Sequence, residues 1–320
     1  MIEPSGHEQE ARLRAAAKRL RVDAATVEIV RGFEGAGVES RLLKGPALAT
    51  WYADDPARSY MDCDLWVRPG DLNAAAAALT RLGFSPCVYD QDLPEWWESH
   101  AQAWSRDTDG VVVDVHRKLQ GLGVDGETAW EVLSGPAERL PVAGELVPAL
   151  ALPARVLYVT LHAAHHGRGA AKAVSHVERA VSVVDDATWR DAAALAERVA
   201  AVDAFAAGVR LVPAGAALAE RIGLQPVQSV KVALEASSPP PVALGFEQLA
   251  RAGGWWARIG IIVRKVVPPP SFIRRWWPAA EGNRRMLAFA YLYRPVWLAK
   301  KAPAGLRAWR EARRQVRRGR

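Results

Sequence analysis

Cysteine is scarce. Of 320 residues only Cys63 and Cys87 are cysteines, and nothing arranges them as a metal pair or a disulfide framework. That scarcity suits a reducing cytoplasm, which is the expected location. Long apolar runs are missing as well. No stretch reaches the ~18 uninterrupted apolar residues that a membrane-spanning helix needs, and the opening Met1-Ile2-Glu3-Pro4-Ser5-Gly6-His7-Glu8 has no apolar signal core behind it. No segment repeats at a fixed period, so solenoids and propellers are excluded. Acid is nearly absent from the end of the chain: from Arg251 to Arg320 there are 18 Lys and Arg against 2 Asp and Glu. The first 250 residues hold 24 basic and 33 acidic side chains, so the net charge of +7 and the pI of 9.6 describe a tail and not a body. A mildly acidic body argues against a broad nucleic-acid-binding face on it.

What is present is the composition of a globular chain, half hydrophobic and a quarter charged, long enough for two domains. Apolar residues at three- and four-residue steps predict two helices between Glu8 and Gly37. A short strand follows over Val38–Leu43. Lys44-Gly45-Pro46 then opens a helix through Tyr52, and the polar loop Ala53–Arg58 leads to a second strand over Met61–Val67. Asp71 is placed to cap an alanine-rich helix that ends near Leu82-Gly83. Phe84–Tyr89 reads as a strand, and Thr108-Asp109-Gly110 is a hairpin signal between strands at Trp104–Asp107 and Val111–His116. This order predicts a small mixed sheet with helices on one face. From Pro153 onward only helical spacing remains: Arg155–His166, Lys172–Val184, a capped start at Thr188, and Phe205–Ile222. Ser237-Ser238-Pro239-Pro240-Pro241 and Pro268-Pro269-Pro270 are breaks.

The chemistry concentrates in three aspartates. Asp62 and Asp64 are two apart on a strand and so point to one face, while Cys63, Leu65 and Val67 point to the core. Neighbouring carboxylates repel unless a cation lies between them, and Mg²⁺ prefers oxygen ligands. Asp114 stands in an otherwise valine strand, where an unpaired charge is costly. An Asp-x-Asp alone also suits a solvated strand end. Its setting, with a strand–Lys-Gly–helix unit upstream and a second Asp-bearing strand downstream, favours a metal site of Asp62, Asp64 and Asp114. On a polar face, replacing Asp62 or Asp64 by Asn is expected to spare the fold. Gly45 lets backbone approach a phosphate, Lys44 adds charge, and Arg58 is a further phosphate candidate, with a helix cap and a surface ion pair as the plain alternatives.

Leu43-Lys44-Gly45-Pro46-Ala47-Leu48, Arg58 through Asp62-Cys63-Asp64-Leu65-Trp66-Val67, Leu82-Gly83-Phe84 and Val113-Asp114-Val115-His116 together resemble the uncharacterised bacterial nucleotidyltransferase family of the polymerase-β-like superfamily. The resemblance implies an α+β fold: a minimal nucleotidyltransferase mixed sheet (1–150), a helical acceptor-binding domain (151–236) and a basic, aromatic helical extension (237–320). It further implies transfer of a nucleoside monophosphate from an NTP to a small-molecule, glycan or peptide acceptor. Mg²⁺ or Mn²⁺ would be held by Asp62, Asp64 and Asp114, and Lys44, Gly45 and Arg58 would hold the nucleotide. Where the superfamily has Gly-Ser this chain has Gly45-Pro46, which removes a hydroxyl. That departure keeps an alternative open: a weak or inactive nucleotide- or peptide-binding protein of the same fold.

His116 shares a face with Asp114 and is a candidate to orient that carboxylate or touch the acceptor, with packing as the alternative. His162 and His166, four apart beside His165, suit a structural or acceptor-facing role better than zinc, because the run lacks the Glu that a zinc protease needs. For the tail, three readings are ranked: helical packing, then an anionic partner such as RNA or a peptide, then anionic lipid at a membrane periphery. The last residues, Arg310–Arg320, read as a frayed basic helix.

Overall fold

A computed structural model describes residues 6–52, 60, 62–87 and 100–319. The chain divides into two compact units, the first drawn from Met1–Val88, Ser99–Val159 and His176–Val202, the second including Thr160–Ser175 and Asp203–Arg320.

The first unit opens with one helix, not two: α1 runs unbroken over Gly6–Gly35. The segment that separates its apolar clusters, Arg21-Val22-Asp23-Ala24-Ala25, holds neither glycine nor proline, so nothing stops the helix there. Only its second half is in the core, through Val22, Ile29 and Phe33, whereas Leu13 and Leu20 are exposed. Gly37 turns the chain with φ 71° into β1, Ser40–Leu42. The next helix is shorter than its spacing suggested: α2 covers Pro46–Ala49 and tightens into a 3₁₀ turn over Thr50–Tyr52. Then come β2 (Asp62–Val67), α3 (Leu72–Arg81), β3 (Ser85–Pro86), β4 (Ala101–Arg106) and β5 (Val111–His116). Asp71 stands at the N-cap of α3 but makes no side-chain cap bond. A helix and a hairpin escape the sequence patterns: α4 (Gly126–Leu133), β6 (Glu138–Val142) and β7 (Glu145–Ala149).

Among the described residues seven strands form one mixed sheet in the order β3-β4-β5-β2-β1-β7-β6. β2 and β5 run parallel, and Asp64 stands directly beside Asp114. One face of the sheet, with Cys63, Leu65, Val113 and Val115, joins α1 and α3 in a single apolar core. The expectation of helices on that face alone is incomplete. Trp66 on the opposite face is fully buried, and its ring meets Trp130 of α4 edge-on at 4.7 Å. A tryptophan of that size needs a cover, and α4 supplies it. The helix α5 (Leu152–His166) is anchored by Arg155, which donates to the carbonyls of Ala47 and Leu150 and to the carboxylate of Glu138. The unit is completed by part of α6 (Ala171–Val183) and by α7 (Asp186–Arg198), capped by Asp185, whose carboxylate accepts from the Thr188 N–H at 2.9 Å. The helix therefore begins earlier than Thr188, because the aspartate is the better placed cap.

The second unit is helical. Pro213 splits the run Phe205–Ile222 into α8 (Val202–Val209) and α9 (Pro213–Arg221). Gly208 lets α8 lie close against α5, since a Cβ there would come within 2.2 Å of the Thr160 carbonyl oxygen. Then follow α10 (Val230–Ala236), α11 (Ala243–Arg251), α12 (Trp255–Val266), α13 (Pro270–Trp276) and the long α14 (Arg284–Arg318). The first proline run falls between α10 and α11, and the second separates α12 from α13, which Pro270 opens. The end of the chain is not frayed: Ala312 and Val316 are buried with Leu234 and Ala243. Trp309 donates to Glu247 at 2.9 Å.

Candidate active site

The site lies on the sheet face opposite the α1 and α3 core. Because β2 and β5 are parallel and in register at Asp64 and Asp114, the two carboxylates share that face, with Asp62 two residues upstream. β1 leads into Lys44-Gly45 beside them. Gly45 has φ 62°, and a Cβ there would stand 3.0 Å from the Asp62 carbonyl oxygen. Its place is thus reserved for glycine twice, by backbone conformation and by space. Tyr60 closes the same corner, its hydroxyl donating to Asp23 of α1.

Asp64 is the buried centre of charge. Its Oδ1 accepts from Lys44 Nζ at 3.3 Å and from His116 Nε2 at 2.9 Å. Burial would raise its pKa, but the Lys44 charge and the His116 hydrogen bond overcome that and hold the carboxyl well below the usual carboxylate range. Asp114 behaves in the opposite way: burial, then the negative charge of Asp64, push its carboxyl up. The Lys44 ammonium lies 5.5 Å from the ring centre of Tyr158, on α5. The Tyr158 phenol is raised well above its ordinary value by burial and by the carboxylates of Asp64, Asp114 and Asp62. Tyr158 is a site residue that its place in a helical run gave no reason to single out.

Two expectations change here. His116 is a candidate to orient Asp114, its neighbour along the strand, or to touch the acceptor, with packing as the alternative. It bonds instead to Asp64 on the adjacent strand, where it stands opposite Trp66 in register. Asp64 was expected to accept asparagine without loss of stability. With Lys44 and His116 both bonded to it, removing its charge leaves a mostly buried ammonium short of its partner, and that costs stability. Asp62 is half-buried, so the expectation survives for it.

Arg58 lies outside the described residues. His162 and His166 belong to the second unit, one turn apart on α5 with ring centres 4.4 Å apart, and His165 lies 5.3 Å from His166. Among the described residues, no three His, Cys, Asp or Glu side chains are arranged to hold a metal ion. Asp64 Oδ1 is taken up by Lys44 and His116. The donor set itself suits a hard divalent ion: three carboxylates on one face of paired strands, of which Asp114 is pushed up first by burial and then by the negative charge of Asp64.

No curated protein shows significant similarity to this chain. Residues 4–214 match the model of a family described as uncharacterised nucleotidyltransferases. That span covers the whole sheet, Lys44-Gly45 and all three aspartates, and the chain belongs to this nucleotidyltransferase family.

Proposed function

We propose that the face carrying Asp62, Asp64 and Asp114 transfers a nucleoside monophosphate from an NTP to a hydroxyl or other nucleophile of a small-molecule, glycan or peptide acceptor. The observation that supports this most is the Asp64–Asp114 pairing across parallel strands, beside a glycine whose backbone is bare enough to approach a phosphate. Asp62, Asp64 and Asp114 are the residues to hold Mg²⁺ or Mn²⁺. When bound, such an ion supplies Lewis acidity toward phosphate oxygens and neutralises charge on the leaving pyrophosphate.

The chain's own residues do the rest. Gly45 brings main chain to the triphosphate, and Lys44 offers it an ammonium that at present balances Asp64. Arg58 adds a second cation for the phosphates. His116 fixes Asp64 by its Nε2–H bond and is a positioning residue. Asp114 accepts the proton of the incoming hydroxyl. The acceptor oxygen forms a bond to the α-phosphorus, the bond from that phosphorus to the bridging oxygen breaks, and pyrophosphate departs with the electron pair.

The test is calorimetric and chemical. NTP binding is expected to require Mg²⁺ or Mn²⁺, and labelled NTPs incubated with candidate acceptors are expected to release pyrophosphate. Equal NTP affinity with and without divalent cation would overturn the metal assignment. One observation favours a second reading, that of a weak or inactive nucleotide binder: Pro46 occupies the first position of α2, offering neither an N–H nor a hydroxyl to a phosphate. Metal-dependent NTP binding without release of pyrophosphate to any acceptor would select it.

A further inference from the structure

The tail tryptophans are of two kinds. Trp276, Trp277 and Trp297 pack among themselves and with Phe289 and Tyr293, at ring distances of 5.4–6.0 Å, and Trp309 is tied to Glu247. Packing explains these four. It does not explain Trp255 and Trp256, which are 70% and 81% exposed at the start of α12.

α12 is amphipathic in an inverted sense. At 100° per residue, Trp255, Trp256, Ile259, Ile262, Val263 and Val266 fall along one side, and an ordinary surface helix would turn that side inward. Here no residue of α12 is buried: Ile259 and Val266 are half-buried, and Trp255, Trp256, Ile262 and Val263 face solvent. The side turned toward α11 carries Lys265, whose Cε would lie 3.3 Å from a Cβ at Gly245. The Lys265 carbonyl accepts from Arg294 Nε of α14 at 2.7 Å. The helix is thus held at Lys265, with Trp255, Trp256, Ile262 and Val263 left open. α14 adds a second exposed apolar row at Phe289, Leu292 and Val296. Around these rows Arg258, Arg264, Arg284 and Arg285 are exposed, and none has an acidic partner among the described residues. The wider stretch carries 18 basic side chains against 2 acidic ones.

Apolar side chains including tryptophan beside unpaired arginine suit an anionic bilayer: the rings enter the headgroup boundary and the guanidinium groups meet lipid phosphates. Two such faces from two copies of the chain would repel one another. We propose that the exposed face of α12, with its basic flanks, docks the protein on an anionic lipid surface, the helix lying in the headgroup plane. No helix among the described residues is long and apolar enough to cross a membrane, so the contact is interfacial.

Full-length protein is tested by co-sedimentation with phosphatidylcholine vesicles with and without phosphatidylglycerol. The anionic vesicles are expected to bind at least ~10-fold more tightly, since each basic residue near such a surface contributes. Trp255→Ser with Trp256→Ser is expected to weaken that binding by ~10-fold or more through lost apolar insertion, and Ile262→Ser with Val263→Ser to do the same. Brominated acyl chains should quench tryptophan fluorescence in the parent and not in the double tryptophan variant, while thermal unfolding stays unchanged because these side chains are exposed. Equal binding to neutral and anionic vesicles overturns the proposal, as does anionic binding that both variants leave intact. Salt-sensitive RNA binding without vesicle binding overturns it in favour of nucleic acid. A dimer dissolved by the tryptophan substitutions, without vesicle binding, overturns it in favour of a second copy.

Discussion

The core of the sheet unit and the exposed face of α12 treat charge in opposite ways. In the first, a charge goes inside only with company. Asp64 has Lys44 and His116, and Arg155 has two carbonyls and Glu138. In the second, Arg258 and Arg264 stay in water, and two tryptophans stay out with them. Taking an ion out of water costs several kcal/mol unless partners replace the solvent. The buried set is therefore specified by the surrounding structure and marks a place where charge is put to use. The exposed arginines cost nothing where they are, and their function is sought in whatever anionic surface comes to them. One region holds its chemistry in fixed geometry; the other presents it.

The comparison breaks most readily at Asp64. Asp64→Asn is expected to lower nucleotidyl transfer by at least ~100-fold, since even groups that merely support a metal ligand cost about 10–100-fold. The same change should lower stability by roughly 2–3 kcal/mol in urea unfolding, because Lys44 loses its partner. Arg264→Ala should stay within about 0.5 kcal/mol of the parent. An Asp64→Asn protein as stable as the parent would mean that pairing does not hold the buried charges, and the contrast would fail.

Tryptophans sharpen the same contrast. Trp189 of the sheet unit is fully buried and Trp256 is open. Trp189→Ala is expected to cost about 3–5 kcal/mol, and Trp256→Ser less than about 0.5 kcal/mol. Smaller than the Trp189 effect is Gly45→Ala, at about 1–2 kcal/mol for a left-handed backbone carrying a Cβ. Its transfer rate should fall further than its stability, since the methyl would push on the Asp62 carbonyl. If the rate follows stability alone, Gly45 is only a turn. The mildest probe is thiol labelling. Burial pushes the Cys63 thiol up, whereas Cys87 is exposed. Ellman's reagent is expected to titrate one thiol in the native protein and two after unfolding.

Deletion is a poorer probe of the tail than substitution. Cutting away residues 313–320 removes Val316, which packs with Leu234 and Ala243, and so takes core along with charge.

Much of this was legible in the residues themselves. Alternation along Asp62–Val67 and Val111–His116 placed the carboxylates on one side and Cys63, Leu65, Val113 and Val115 on the other, because side chains on a strand alternate whatever the fold. Lys44-Gly45 was legible for a similar local reason: a glycine between strand and helix marks backbone that must bend or approach. The α1 helix was misjudged as two because a change in which residues are buried looks, in one dimension, like a change of element. The β6–β7 hairpin was missed because Pro141 and Pro148 blur its alternation. Beyond reach were the distances across the sheet. That His116 serves Asp64 and not Asp114, that Lys44 neutralises the same oxygen, and that Tyr158 comes from a helix over ninety residues downstream of that strand all depend on strand register and helix docking. Likewise, the sequence determined that α12 has an apolar and a basic side. That Trp255, Trp256, Ile262 and Val263 would be left in water was decided only when Lys265 and the α12 backbone were taken up by α11 and α14, because amphipathicity defines two faces and packing chooses what each of them meets.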